Sequence, residues 1–198
     1  INDNTLIKNL KCIGILILSD VIRQDAKTTL DYFKRQDVDI KIISGDDPVT
    51  VSAIARRCHL LNYEHYIDVS SLSDEQIKEA IEKYTIFGRV SPKQKQLMVN
   101  ALQENNHTVA MTGDGVNDVL ALKAADCSIA MASGSDAAKN ASHIVLLKNN
   151  FNAMPHIVNE GRRVINNITA SASMYLIKTI FSVVLSIGMI LFGHGYPF

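Results

Sequence analysis

The 198 residues carry 20 Lys+Arg against 20 Asp+Glu, a formal net charge of zero, so a basic nucleic-acid-binding surface is not expected. Hydrophobic residues make up 47% of the chain, ordinary for one domain with a real core, yet the carboxyl-terminal stretch is far more apolar than the rest. Cys12, Cys58 and Cys127 form no CxxC pair, which excludes a disulfide framework and a cysteine metal site; they read as small buried hydrophobes of a reducing compartment. The charge is uneven. After Asp136 the only acid is Glu160, against Lys139, Lys148, Arg162, Arg163 and Lys178. The chain opens without an apolar signal segment or an initiator Met, and so reads as a piece of something longer.

Taken in order, "CIGILILS" (12–19) is a short continuous apolar run and predicts a buried strand. "RQDAKTTLDYFKRQ" places Ala26, Leu30 and Phe33 on one helical face. "DIKIISG" is a second strand, and "DPVTVSAIARRC" a helix with Pro48 in its first turn. "SDEQIKEAIEKY" opens with a capping box, Ser73 and Gln76. Strand "TIFGR" leads to "SPKQKQLMVNALQENN", capped by Ser91 with Pro92 at the first helical position. "HTVAMTG", "SIAMA" and "HIVLL" are further strands, separated by helices near 116–125 and 136–141. Strands alternating with helices of this size predict βαβ units: an α/β fold, a Rossmann-like parallel sheet flanked by helices.

Beyond residue 150 the pattern changes. "NEGRRVINNITASAS" is a polar helical stretch that runs directly into "MYLIKTIFSVVLSIGMILF", Met174 to Phe192, whose only charge is Lys178. At 1.5 Å per residue that segment is about 28 Å long, close to the hydrocarbon core of a bilayer. The expected layout is a domain over 1–150, a stalk helix over 151–172, a transmembrane helix over 173–193 and the start of an extracytoplasmic loop over 194–198. Arg162 and Arg163 precede the span, so residues 1 to about 172 are expected to be cytoplasmic, with the span in the plasma membrane.

The chemistry concentrates at strand ends, where ligands of open parallel sheets bind. "VAMTGDGVND" runs from strand through Gly113, Asp114 and Gly115 to a helix start, with Asn117 and Asp118 close behind. Two carboxylates crowded at a tight turn repel unless a cation joins them, and hard oxygen ligands suit Mg²⁺. Helix capping by Asp114 is the plainer alternative. "ISGDDP" offers Ser44, Gly45 and Asp46 ahead of a helix N-terminus, a phosphate-binding arrangement. "GRVSPKQK" adds Arg89, Lys93 and Lys95; a lysine aimed at a phosphoryl group neutralises charge during transfer.

These segments resemble the P-type ATPases, within the haloacid-dehalogenase-like superfamily. "MTGDGVNDVLALKAADCSIAM" is similar to their hinge motif almost residue for residue. "ISGDDPVTVSAIA" resembles their TGD loop with serine for threonine, and "FGRVSPKQK" the segment that carries their phosphate-facing lysine. "LSDVIRQDA" is similar to their DPPR-type segment, with Val21 and Ile22 replacing both prolines, and "NFNAMPHIVNEGRRVINNI" to the stalk that enters the fifth transmembrane helix. The resemblance implies a pump that uses ATP and Mg²⁺ to form an aspartyl-phosphate and move a cation across a bilayer. It implies that Asp114 ligates Mg²⁺ with Asp118 supporting that site, and that Ser44, Lys95 and Asn117 contact phosphoryl oxygens. Gly45, Asp46, Arg89 and Asp20 are implied on the nucleotide side.

The family's DKTGT segment, which holds the phosphorylated aspartate, does not occur in this sequence. "DAKTTL" lies in an amphipathic helix, and "DVDIKI" sits too close before Ser44 to provide a strand of its own. The chain is therefore expected to be the carboxyl-terminal part of a phosphorylation domain with a stalk and one membrane helix. The remaining domains of the pump would be its partners, and alone it would not hydrolyse ATP. The competing readings are a soluble haloacid-dehalogenase-like phosphatase and a non-catalytic membrane-tethered remnant.

Overall fold

Short apolar runs between capped helices produce the expected alternation. The computed structural model describes residues 13–14, 24–148 and 150–193. The strand expected over 12–19, apart from Ile13 and Gly14, and Asp20 lie outside the described residues. Helix α1 spans Gln24–Lys34, and strand β1 is Ile42–Ile43. Helix α2 is Pro48–Arg57, β2 Tyr66–Asp68, α3 Asp74–Lys83 and β3 Ile86–Gly88. Helix α4 is Pro92–Glu104, β4 Ala110–Gly113, α5 Val119–Ala124 and β5 Cys127–Met131. Helix α6 (Asp136–Ala141), β6 (Ile144–Leu146) and α7 (Met154–Phe192) complete the order.

Among the described residues all strand pairings are parallel. They form two sheets, β1-β3-β2 and β4-β5-β6, with registers that include Ile43↔Phe87 and Met111↔Ser128. The sequence predicts one sheet; among the described residues no ladder joins β1 to β4. Strand β3 is central in its sheet, and Ile86 and Phe87 are fully buried on both faces. Helix α4 ties the sheets together, because Met98 and Ala101 pack into the core with Phe87 while Val99 packs with Met111 and Ala130. Strand β2, unanticipated in the sequence, is half-exposed and too short to show a period. Cys58 and Cys127 are free thiols that are partly rather than wholly buried.

The predicted caps are present. Ser73 Oγ accepts from Gln76 N (3.3 Å) and Gln76 Oε1 accepts from Ser73 N (2.9 Å). At α4, Ser91 Oγ accepts from Gln94 N (3.4 Å) and Gln94 Oε1 accepts from Ser91 N (2.9 Å). Each pairing satisfies amides that a helix start leaves open. The Ser91→Ala variant is expected to lose about 1 kcal/mol of stability by denaturant titration; a loss indistinguishable from zero would remove the cap from any structural role.

The segments expected as stalk and span form one helix. Asn150 caps a 3-10 turn at Phe151–Ala153, and α7 then runs 39 residues to Gly193, whose left-handed φ of 66° ends it. This helix is long and apolar enough to cross a membrane, and its apolar window is unburied among the described residues. Its base is anchored. Met154 is buried with Ile129 and Leu146, the Phe33 and Phe151 rings lie 5.9 Å apart, and Tyr32 Oη donates to Asn159 Oδ1 (3.1 Å). Arg162 Nη1 also donates to Gln36 Oε1. Leu30 of α1 packs with the Val51, Ala55, Leu60 and Ile86 cluster, so α1 touches both the first sheet's core and the base of α7.

Candidate active site

Strand β4 delivers Gly113 to a turn so tight that a side chain there would overlap Asp118; an added Cβ would lie 2.5 Å from Asp118 Cβ. Asp118 is consequently packed inward and is 7% exposed. Its Oδ2 accepts from the backbone N–H of Asp114 (3.3 Å) and of Gly115 (3.1 Å). Its Oδ1 receives Lys95 Nζ at 2.6 Å, with both side chains largely shielded at 13% and 10% exposure. Lys95 comes from the first turn of α4, so the Ser91 cap also determines where the ammonium points.

Asp114 is different. Its side chain is exposed and makes no hydrogen bond or ion pair among the described residues, and the same holds for Asn117. The carboxylate that collects the turn's amides thus belongs to Asp118, not to Asp114. One open acid stands beside a second whose two oxygens already have partners. Asp118, expected to support the metal site, holds Lys95 through one oxygen and the turn's amides through the other.

The second strand end is built on Ser44. Its N–H donates to Phe87 O (2.9 Å), its carbonyl accepts from Val90 N (2.9 Å), and its hydroxyl accepts from Asp46 N (3.1 Å) and lies 3.3 Å from Asp46 Oδ2. Gly45 and Asp46 are exposed on the outside of this loop. Asp47, unremarked in the sequence, caps α2 through Val49 N (3.2 Å) and Thr50 N (3.4 Å). Arg89 has a left-handed φ of 55°, and its N–H donates to Asp46 O (2.9 Å). That bend leads through Val90 to Ser91, so one loop both pins Ser44 and starts the helix that carries Lys95. Gly88 must be glycine in this crossing, because an added Cβ would sit 2.4 Å from Pro48 Cδ.

The Arg89 guanidinium lies between Asp47 Oδ1 (3.3 Å) and Asp68 Oδ2 (3.4 Å). Asp68 was not legible as a site residue. Hydrogen bonds from the Ser70 hydroxyl and N–H, more than Arg89, hold its carboxyl below the usual range. Exposed pairs of this kind are weak enough for an incoming ligand oxygen to replace them.

No cluster of three metal-ligating side chains exists among the described residues. Mg²⁺ does not require one, since it commonly takes one or two carboxylates with phosphate and water. The open Asp114 carboxylate fits such a site as one contributor.

The family profile of haloacid dehalogenase-like hydrolases matches residues 3–126. The chain is 49% identical over 179 residues to a probable cation-transporting ATPase of Streptococcus pneumoniae, covering 90% of this chain and 23% of that protein. It is 49% identical over 177 residues to the calcium-transporting ATPase CtpE of Mycobacterium tuberculosis, covering 88% and 22%. It thus spans less than a quarter of the length of these relatives. Among solved structures, a zinc-transporting PIB-type ATPase in its E2.Pi state superposes with a TM-score of 0.68 at 28% identity, covering 86% of this chain and 24% of that one. A catalytic CPx-ATPase domain, CopB-B, superposes with a TM-score of 0.55 at 28% identity, covering 71% and 46%. With the profile running from the first residues through the Asp114 turn to Asp126, the chain belongs to the haloacid dehalogenase-like hydrolase family.

Proposed function

We propose that the chain is the carboxyl-terminal part of the phosphorylation domain of a P-type cation-transporting ATPase, with the stalk and membrane helix that follow it. The observation that carries this reading is the shielded Lys95–Asp118 pair at 2.6 Å beside the open carboxylate of Asp114. A lysine fixed by an inward acid, next to an acid left free, suits a site that receives a phosphoryl group and its metal.

In this reading Lys95 offsets charge on the transferring phosphoryl oxygens, and Asp118 holds its ammonium and the turn in place. Ser44 offers its hydroxyl and Asn117 its amide to other phosphoryl oxygens. Asp114 holds Mg²⁺, which when bound offsets negative charge on the phosphoryl group. Gly45 and Asp46 face the nucleotide of ATP, with Arg89 exchanging Asp47 or Asp68 for a ligand oxygen. Asp20, outside the described residues, is assigned to the same side through the resemblance alone. The aspartate that takes the phosphoryl group, and the nucleotide-binding domain, belong to the rest of the protein.

Helix α7 crosses the plasma membrane with residues 1 to about 172 in the cytoplasm, a placement supported by Arg162 and Arg163 before the span. The transported species is a cation. Calcium is the first to assay, because a relative at 49% identity is named calcium-transporting. The hydroxyls of Ser173, Thr179 and Ser186 donate to carbonyls one turn back on α7, which leaves their oxygen lone pairs as the acceptors this helix can offer a cation.

Full-length protein with labelled ATP and Mg²⁺ is expected to accumulate an acid-stable, hydroxylamine-labile aspartyl-phosphate and to show cation-stimulated turnover in vesicles. The 198-residue chain alone is expected to show neither. Metal-dependent hydrolysis of small phosphate esters by this chain, without cation stimulation, would overturn the pump in favour of a phosphatase.

A further inference from the structure

The Asp114 backbone is held from both sides. On one side its N–H donates to Asp118 Oδ2 (3.3 Å). On the other, the N–H of Ser135 donates to Asp114 O at 2.7 Å. Ser135 belongs to the loop between β5 and α6, which no motif singled out. That loop is itself well anchored. Ala132 N donates to Leu146 O (3.1 Å), Gly134 N to Met131 O (2.9 Å), and Ser135 Oγ accepts from Ala138 N (3.2 Å).

Gly134 has no space for a side chain. An added Cβ would lie 2.8 Å from Asp114 O, 3.0 Å from Asp114 Cα and 3.0 Å from Met131 O. All three are backbone atoms, so no flexible side-chain tip can yield, and two of them belong to Asp114. Only glycine allows the approach that the 2.7 Å bond requires. The Asp114 side chain has no partner among the described residues to aim it. With its N–H and C=O both tied, its carboxylate is aimed by the backbone and its own side-chain torsions.

We propose that Gly134 and Ser135 are positioning residues for Asp114, a clamp from the β5–α6 loop that sets where its carboxylate meets the metal. This rests on the reading of Asp114 as the acid that holds Mg²⁺. The clamp acts through Asp114 and touches neither metal nor substrate.

The test uses full-length protein with Mn²⁺ as the probe, free metal being read by electron paramagnetic resonance, alongside hydrogen–deuterium exchange of peptides over 110–118. Gly134→Ala crowds Asp114, whereas Ser135→Pro deletes the N–H donor at a φ of −62°, which proline accepts, along with the hydroxyl that caps Ala138 N; Ser135→Ala removes the hydroxyl alone and is expected to leave Mn²⁺ binding unchanged. Gly161→Ala is the control, since a Cβ there meets nothing within 4 Å. Asp114→Asn tests the metal reading itself. Gly134→Ala and Ser135→Pro are expected to raise the Mn²⁺ half-saturation by roughly tenfold or more and to speed exchange over 110–118, while Gly161→Ala does neither. Unchanged Mn²⁺ binding in both clamp variants, with binding lost in Asp114→Asn, overturns the clamp and leaves the metal reading standing. Unchanged binding in Asp114→Asn overturns both. If Ser135→Pro fails to fold, Gly134→Ala carries the test alone.

Discussion

Replacing Lys95 by Met is expected to lower the unfolding free energy of the chain by about 3–5 kcal/mol, the usual cost of leaving one member of a buried ion pair without its partner. Asp118 would keep the Asp114 and Gly115 amides but lose the ammonium 2.6 Å from Oδ1, in a place where its side chain is 10% exposed. Urea titration in detergent, followed by circular dichroism, measures the loss. The double variant Lys95→Met/Asp118→Asn separates charge from packing. A neutral amide oxygen still accepts from the turn, so the double variant is expected to be more stable than Lys95→Met. If Lys95→Met costs less than about 1 kcal/mol, the pair behaves as a surface contact and its structural role falls.

Asp114→Asn should show the opposite profile. Stability is expected to stay within about 0.5 kcal/mol of the parent, since the side chain is exposed and has no partner among the described residues. Phosphoenzyme formation by full-length protein is expected to fall roughly a thousandfold, because a metal's charge stabilisation of the transition state is worth several kcal/mol. Rapid-quench measurement of labelled phosphoenzyme decides it. Near-parental rates in Asp114→Asn would return Asp114 to an ordinary turn residue. Four positions apart in one motif, the two acids are thus expected to separate, one governing the fold and the other the chemistry.

That division was not legible in the sequence. The spacing of Asp114 and Asp118 marks a crowded acidic turn, but which acid faces inward depends on Gly113 lacking a Cβ and on Lys95 arriving from another helix. The helices and most strands were readable, because capping boxes and apolar runs are local signals: Ser73 and Ser91 cap as expected, and Ile86–Gly88 is a buried strand. Tyr66–Asp68 escaped notice because three half-exposed residues carry no period. Asp47 and Asp68 around Arg89, and Gly134 and Ser135 behind Asp114, are long-range arrangements. Each involves residues far apart in the chain, and no local pattern encodes such a pairing.

The length of α7 gives its anchored base a mechanical meaning. Thirty-nine residues at 1.5 Å each form a rod about 58 Å long, and among the described residues its first turns touch the domain through Met154, Ile157, Asn159 and Arg162. For a straight rod pivoting at that base, each degree of tilt carries the far end about 1 Å sideways. A tilt of a few degrees set where Phe33 meets Phe151 therefore carries Phe192 several ångströms. The same leverage runs backwards: sideways force applied at the tip reaches the base multiplied, where α1 and the Ile129–Leu146 contact with Met154 receive it.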